Sequence, residues 1–116
     1  MVKRKGEHWV KYSEIPAEDM GGGLVRRVGA YNDDVMAVTN TFEKGAIGAL
    51  HSHPHAQVTY IVSGKFEFTI GEEKRIVEAG DSMVKEGGLI HGCVCLEAGS
   101  LIDFFAPMRQ DFVAVE

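Results

Sequence analysis

The stretch His51-Ser52-His53-Pro54-His55-Ala56-Gln57 holds three of the five histidines of this 116-residue chain. Side chains alternate along an extended chain, so His51 and His53 point to the same side. Gln57 has the same parity, and a turn at Pro54 can bring its amide toward the two imidazoles. Two imidazoles and an amide oxygen that converge on one point suit a divalent transition metal. We therefore predict a metal site here, with a third imidazole from elsewhere in the chain, for which His91 is the best candidate.

Glycines frame this stretch on both sides. Five residues separate Gly45 from His51, and six separate Gln57 from Gly64. A lone histidine would be interpreted as a polar residue on a solvated strand, but a His-x-His pair inside a glycine frame favours a site. This spacing resembles the first motif of the cupin family, and the run from Gly80 through Gly88 to His91 resembles the second.

The resemblance covers residues 40 to 108 and implies an all-β, single-domain cupin jelly roll, which is a double-stranded β-helix barrel. We take residues 1–116 as one domain, with an N-terminal arm over 1–23 and the barrel over 24–113. Two positions depart from the family pattern. Gln57 stands where many cupins have Glu, which changes the charge of the site, and Glu86 stands where Pro is usual.

Length and composition limit the alternatives. The 116 residues suffice for one core but not two, and a hydrophobic content of 45% excludes a disordered chain. No apolar run has membrane-spanning length, and the net charge of −5 gives no support for nucleic-acid binding. The basic residues 1–6 are followed by no apolar signal core, which predicts a cytoplasmic protein. Cys93 and Cys95 are predicted to fill the barrel interior as small apolar side chains, with Cys95 as a soft metal ligand the alternative.

The rest of the chain reads as short strands separated by turn residues, and no segment shows a sustained helical period. Such spacing favours an antiparallel sandwich or barrel. We predict a short edge strand around Trp9–Tyr12 and a flexible break at Gly21–Gly23. The other predicted strands are Leu24–Val28, Val35–Phe42, Val58–Val62, Lys65–Ile70 and Lys74–Val77.

One predicted strand is apolar on both faces. Val58, Tyr60 and Val62 lie opposite the side that carries Gln57 and Ile61. The outer face needs a cover, which either a second sheet or a second subunit can supply. We expect a homodimer.

A charged pair marks the C-terminal end. Asp103 interrupts an apolar strand, on the same face as Leu101 and Phe105, where an unpaired carboxylate is costly. Arg109 follows six residues later and can offer a planar fork to a carboxylate. From these residues alone two interpretations stand: an internal Asp103–Arg109 ion pair, or a pair that handles an anionic substrate.

The runs His51 to Gln57, Gly64 to Gly71 and Asp103 to Phe112 are similar to those of the pectin-degradation cupins. The resemblance implies an enzyme that acts on 4,5-unsaturated uronate monosaccharides, released by pectin and alginate lyases, and converts them to linear 5-keto-4-deoxyuronate. It implies metal binding by His51, His53, Gln57 and His91, and catalytic or substrate-contacting roles for Asp103, Phe105 and Arg109. His55 and Arg26 are secondary candidates, as a group near the ligands and as a further anion anchor.

Two other functions stay open. A three-histidine cupin site with iron can activate oxygen, so a dioxygenase is one alternative, and a non-enzymatic sugar- or metabolite-binding cupin is the other. Ni, Fe, Mn, Zn and Co all accept imidazole and carbonyl oxygen, so the metal is not identified. The expected partner is a small anionic sugar, with no nucleic acid and no membrane.

Overall fold

The computed structural model describes residues 4–113 and contains ten β-strands in two antiparallel sheets. In chain order the strands are β1 (Glu18–Gly21), β2 (Leu24–Tyr31), β3 (Met36–Phe42), β4 (Ile47–His51), β5 (Ala56–Ile61), β6 (Lys65–Ile70), β7 (Glu73–Glu78), β8 (Ser82–Lys85), β9 (His91–Glu97) and β10 (Gly99–Ala106). Two 3₁₀ turns, Tyr12–Glu14 and Gln110–Phe112, are the only helical elements in the described part. No helix within residues 4–113 has the length and hydropathy to cross a membrane. The predicted domain also includes residues 1–3 and 114–116, which lie outside the described residues.

The strand order is that of a jelly roll. One sheet has the order β1-β2-β3-β10-β5-β8 and the other β4-β9-β6-β7, so strands distant in sequence lie side by side. Burial alternates strictly along β5, where Gln57, Thr59 and Ile61 face the interior. Leu101, Asp103 and Phe105 of the neighbouring β10 do the same. The predicted all-β cupin jelly roll is confirmed.

The interior holds two apolar clusters. The larger is built around Phe42 and Phe66, whose rings meet edge to face at 5.2 Å, and it includes Cys95. Cys93 belongs to the same cluster, and both cysteines are free thiols. Burial raises the pKa of Cys93 to about 11, so its thiol stays protonated at neutral pH. The smaller cluster is built around Met36 and Phe105 and includes Val28, Val38 and Met108.

The edge strand predicted around Trp9–Tyr12 is wrong in position. The edge strand is β1, which pairs with β2 with Glu18 opposite Arg26. The predicted break at Gly21–Gly23 is the hairpin turn that joins β1 to β2, because Gly21 pairs with Leu24. All three glycines have positive φ values, which L side chains rarely adopt. Trp9 lies outside every strand of residues 4–113 and is 89% exposed.

The outer face of the six-stranded sheet is apolar where β5, β8 and β10 meet. Val58, Tyr60 and Val62 are between 41% and 45% exposed, and Val84 and Phe104 extend the same surface. The second sheet packs on the opposite, inner face, so it does not cover this apolar outer surface.

Candidate metal centre

Three histidines meet at one point of the barrel, where His53 and His91 are buried and His51 is exposed. His51 ends β4 and lies opposite His91, which begins β9, and His53 lies in the loop before β5. One ring nitrogen from each histidine lies within 4.8 Å of the others. The two strand partners and the short His-x-His link therefore gather the three predicted imidazoles into a cluster that could bind a metal ion.

The hydrogen bonds of the three rings fix their tautomers. Each Nδ1 lies 2.7 to 3.0 Å from a backbone carbonyl oxygen two residues away, namely that of Ala49 for His51, His55 for His53 and Leu89 for His91. A carbonyl can only accept, so each Nδ1 carries the proton and each Nε2 keeps its lone pair. The Nε2 of His91 is buried and has no hydrogen-bond partner within residues 4–113. This is the arrangement of imidazoles prepared to ligate.

Gln57 adds a fourth donor atom. Its Nε2 donates to the Asp103 carboxylate at 2.8 Å, which fixes the amide so that Oε1 points to His53. Oε1 lies 2.8 Å from the His53 Nε2, so two lone pairs face each other. A cation between the two atoms would turn this repulsion into coordination. The residues present therefore fit a divalent transition metal held by His51, His53, Gln57 and His91.

Burial keeps two of these imidazoles neutral. It lowers the pKa of His91 from its ordinary value of 6.5 to about 4, and the Leu89 carbonyl only partly opposes the shift. Burial also lowers the pKa of His53, again against an opposing hydrogen bond. Because metal ligation needs the unprotonated ring, both are ready to bind at neutral pH.

The histidines open into a cavity of about 380 Å³, within the range of small-molecule sites. Its wall includes His51, His91, Gln57, Asp103, Phe105 and Arg109. All three residues predicted to contact substrate therefore lie on the same cavity as three of the four metal-ligand candidates, namely His51, Gln57 and His91.

Asp103 does not pair with Arg109. Its Oδ1 accepts hydrogen bonds from Gln57 Nε2 at 2.8 Å and from the Thr59 hydroxyl at 2.5 Å. Its Oδ2 accepts one from Asn40 Nδ2 at 2.8 Å. The internal ion pair considered from sequence is thus wrong, because three neutral donors on adjacent strands already satisfy the carboxylate.

Arg109 instead forms a fork with Asp111, through Nε at 3.0 Å and Nη2 at 2.8 Å. This bond is the first cause of the lowered pKa of Asp111. The guanidinium lies over two aromatic rings, 5.2 Å from the centroid of Phe105 and 4.3 Å from that of Phe112. These contacts hold the cation at the cavity wall rather than in the barrel core.

Arg26 takes part in the same wall. Its guanidinium lies 3.9 Å from the centroid of the Phe112 ring and 3.3 Å from the Glu18 carboxylate. Phe112 therefore contacts both arginines of the cavity. His55, the other secondary candidate, is half-buried next to His53 and Phe105, outside the three-histidine cluster.

Two polar residues of this region, Lys85 and Asn40, were not predicted from the sequence. Lys85 at the end of β8 is fully buried and donates to the Thr59 hydroxyl at 2.6 Å. Asn40 of β3 faces the same interior. A signal was present for both: Met83 precedes Lys85 by two residues and Val38 precedes Asn40 by two, so each polar residue continues an inward-facing apolar series.

The fold is a double-sheet jelly roll with a cluster of three imidazoles that could bind a metal ion, next to an amide oxygen and a buried carboxylate. These features define a small β-barrel with a candidate metal site. The cupin-domain sequence profile matches residues 38–104. The chain belongs to the cupin family.

Within that family its similarity to pectin-degradation proteins is extensive. The chain is 45% identical over 102 residues to the pectin degradation protein KdgF of Dickeya dadantii, covering 86% of this chain and 93% of that one. It superposes on KdgF from Halomonas sp. with a TM-score of 0.86 at 38% identity, covering 90% of this chain and 97% of that chain. An RmlC-like cupin from Shewanella frigidimarina matches with a TM-score of 0.91 at 40% identity, covering 96% and 100%.

Proposed function

We propose that this protein is a metal-dependent enzyme that converts 4,5-unsaturated uronate monosaccharides, from pectin or alginate breakdown, to linear 5-keto-4-deoxyuronate. The observation that carries the proposal is the link between the two halves of the site. The side-chain oxygen of Gln57 faces His53 of the histidine cluster, and its side-chain nitrogen donates a hydrogen bond to Asp103. A metal and a proton-transferring carboxylate would therefore act on the same substrate molecule. The 45% identity to a pectin degradation protein supports the choice of substrate class.

The reaction is an isomerisation. The anomeric hydroxyl loses a proton, the bond between C1 and the ring oxygen breaks, and the ring oxygen becomes the 5-keto oxygen. C4 gains a proton, so the composition of the sugar does not change. A bound metal ion would supply Lewis-acid stabilisation of the enolate oxygen.

Asp103 is suited to move the proton. Its Oδ1 already accepts two hydrogen bonds, whereas Oδ2 accepts one, from Asn40, and keeps a free acceptor position. Asp103 takes the proton from the anomeric hydroxyl and returns it at C4. A positioned acid–base group of this kind typically contributes about 10²–10⁴-fold to the rate.

Arg109 is suited to hold the uronate carboxylate. Asp111 occupies its Nε and one Nη2 position, which leaves Nη1 and the second Nη2 hydrogen as a two-pronged donor. The guanidinium also packs over the rings of Phe105 and Phe112. Phe105 is itself only 3% exposed, so only a small part of its side chain is available to a sugar ring.

The proposed activity is tested by mixing metal-loaded protein with monouronate freshly made by a lyase, and following the absorbance of the conjugated alkene. We expect the absorbance to fall faster than in buffer with metal alone, and nuclear magnetic resonance to show the linear 5-keto product. Equal rates with and without protein would contradict the proposal. Oxygen consumption in the same mixture would instead support the dioxygenase, and binding of the uronate without turnover would support a binding module.

We also propose that the protein is a homodimer and cytoplasmic. The apolar outer surface formed by Val58, Tyr60, Val62, Val84 and Phe104 supports a second copy as its cover. The two free cysteines fit a reducing compartment. Cell fractionation of the native host tests the location, and a band in the periplasmic or secreted fraction would contradict it.

A further inference from the structure

Lys85 is a lysine with no exposed surface, at the inner end of β8. Lysine is almost never fully buried unless it is paired or used. No carboxylate of residues 4–113 lies within ion-pair distance of its Nζ. The polar contact that it does make is with the Thr59 hydroxyl, at 2.6 Å, and the Phe68 ring lies 5.1 Å away.

The direction of the hydrogen bonds around Thr59 is determined. The Asp103 carboxylate can only accept, and its Oδ1 lies 2.5 Å from the Thr59 oxygen, so the single hydroxyl proton points to Asp103. The Thr59 oxygen must then accept from Lys85, whether that amine is charged or neutral. The chain of donation runs from Lys85 through Thr59 to Asp103.

This chain decides which oxygen of Asp103 faces a substrate. Thr59 and Gln57 both donate to Oδ1 and leave it no free position toward the cavity. Oδ2 keeps one. If the Thr59 hydroxyl turned away, Oδ1 would compete as a proton acceptor and the carboxylate would be free to rotate.

We propose that Lys85 is a positioning residue for the proton transfer, which it serves by holding the Thr59 hydroxyl on Asp103 and so presenting Oδ2 to the substrate. The proposal rests on the proposed function, which assigns the transfer to Asp103. Lys85 also belongs to the lining of the cavity, but its side chain has no exposed surface, and its amine is hydrogen-bonded to Thr59 and to no metal-ligand candidate. We therefore expect its effect on the chemical step rather than on substrate binding.

The kinetic test compares Lys85→Met, Thr59→Val and the double variant, with Lys74→Met on the exposed face of β7 as the control. We expect each single variant to lower kcat per folded molecule about 10–100-fold, the range for loss of a group that orients a reacting residue. KM, metal content and the control should match the parent. Because both residues act through one chain, the double variant should be no slower than the slower single variant. Losses that multiply in the double variant, or a parent-like kcat, would overturn the proposal.

Two further measurements cover the other outcomes. If Lys85→Met does not fold, Thr59→Val alone breaks the chain and a parent-like kcat in that variant overturns the proposal. If the parent does not turn over unsaturated uronates, the proposed function fails, and the side-chain nitrogen resonance of Lys85 tests the chain without a substrate. We expect that resonance to shift in both Thr59→Val and Asp103→Asn, whereas an unchanged resonance would overturn the coupling.

Discussion

The substitution Asp103→Asn separates chemistry from stability at the centre of the site. The amide keeps the shape of the carboxylate and loses its basicity, so a proton-transferring Asp103 predicts that kcat falls about 10²–10⁴-fold. Arg109, which is proposed to bind the substrate, contacts Asp111 and not Asp103, so KM should stay near the parent value.

The cost in stability follows from the three hydrogen bonds to the carboxylate. Each changes from a charge-assisted to a neutral hydrogen bond, and we expect the free energy of unfolding to fall by about 2 kcal/mol for the three together. In addition, the new amide nitrogen must face either Asn40 or Gln57, and Asn40 can accept it by turning over its own amide. For a domain of this size the melting temperature should fall by about 8 °C.

The assay measures turnover of lyase-made monouronate at 25 °C alongside a melting curve and a metal determination. Asp34→Asn is the matched control, because Asp34 is exposed and its side chain makes no hydrogen bond to residues 4–113. The reasoning is refuted if Asp103→Asn turns over substrate at the parent rate once the unfolded fraction is corrected for. That result would assign the carboxylate to structure alone.

Four further predictions concern the metal ligands, Arg109, the apolar outer surface and the pKa of His91. The double variant His51→Ala/His53→Ala should bind far less metal than the parent by elemental analysis, and equal metal content would mean that the site is misassigned. Arg109→Lys should raise KM with little change in kcat, since a point charge cannot replace the fork; a lower kcat at constant KM would contradict its role in binding. Light scattering at low micromolar concentration should give about twice the 12.7 kDa chain mass, falling to one chain in Tyr60→Asp, whereas a monomeric parent would exclude the dimer. In the folded protein the pKa of His91 is about 4, below the ordinary 6.5, so the unfolded chain takes up a proton first as the pH falls. The free energy of unfolding of the metal-free protein should therefore decrease between pH 6.5 and 4. Denaturant titrations that give a constant free energy of unfolding across that window would show that the ring is not buried as described.

The strand pattern predicted an antiparallel sandwich or barrel, and the resemblance of the glycine and histidine spacing to the cupin motifs predicted the jelly roll and the metal-ligand candidates. The His-x-His pair was expected on one face from strand alternation, and the two imidazoles do come together, although His53 lies in the loop between β4 and β5. The parity of β5 correctly separates Gln57 and Ile61 from Val58 and Tyr60. The tautomers were not accessible, since they depend on carbonyl oxygens whose positions only the fold determines.

The partners of the charged residues were predicted less well. Asp103 and Asp111 are both near Arg109 in sequence. Arg109 pairs with Asp111, which is only two positions away, so no long loop is needed to bring the two side chains together. Asp103 is satisfied from β3 and β5, and no sequence spacing reports which side chains those strands bring alongside. Lys85 was missed because a lysine at the end of a short strand is usually exposed. It nevertheless lies on the same face of β8 as Met83, which is apolar and predicts that this face is the inner one.

The polar residues around Asp103 also bear on how the chain finds its strand pairing. Asp103 lies opposite Thr59 on one side and Val38 on the other. A slip of β10 by two residues would keep every side chain on its own face, so the hydrophobic pattern alone does not forbid it. In one direction, however, the slip moves the carboxylate opposite Ile61 and away from Gln57, and in the other it moves it away from Asn40. The misaligned barrel would bury a charge with too few donors, so the group proposed to move a proton also discriminates the correct alignment from its nearest competitors during folding.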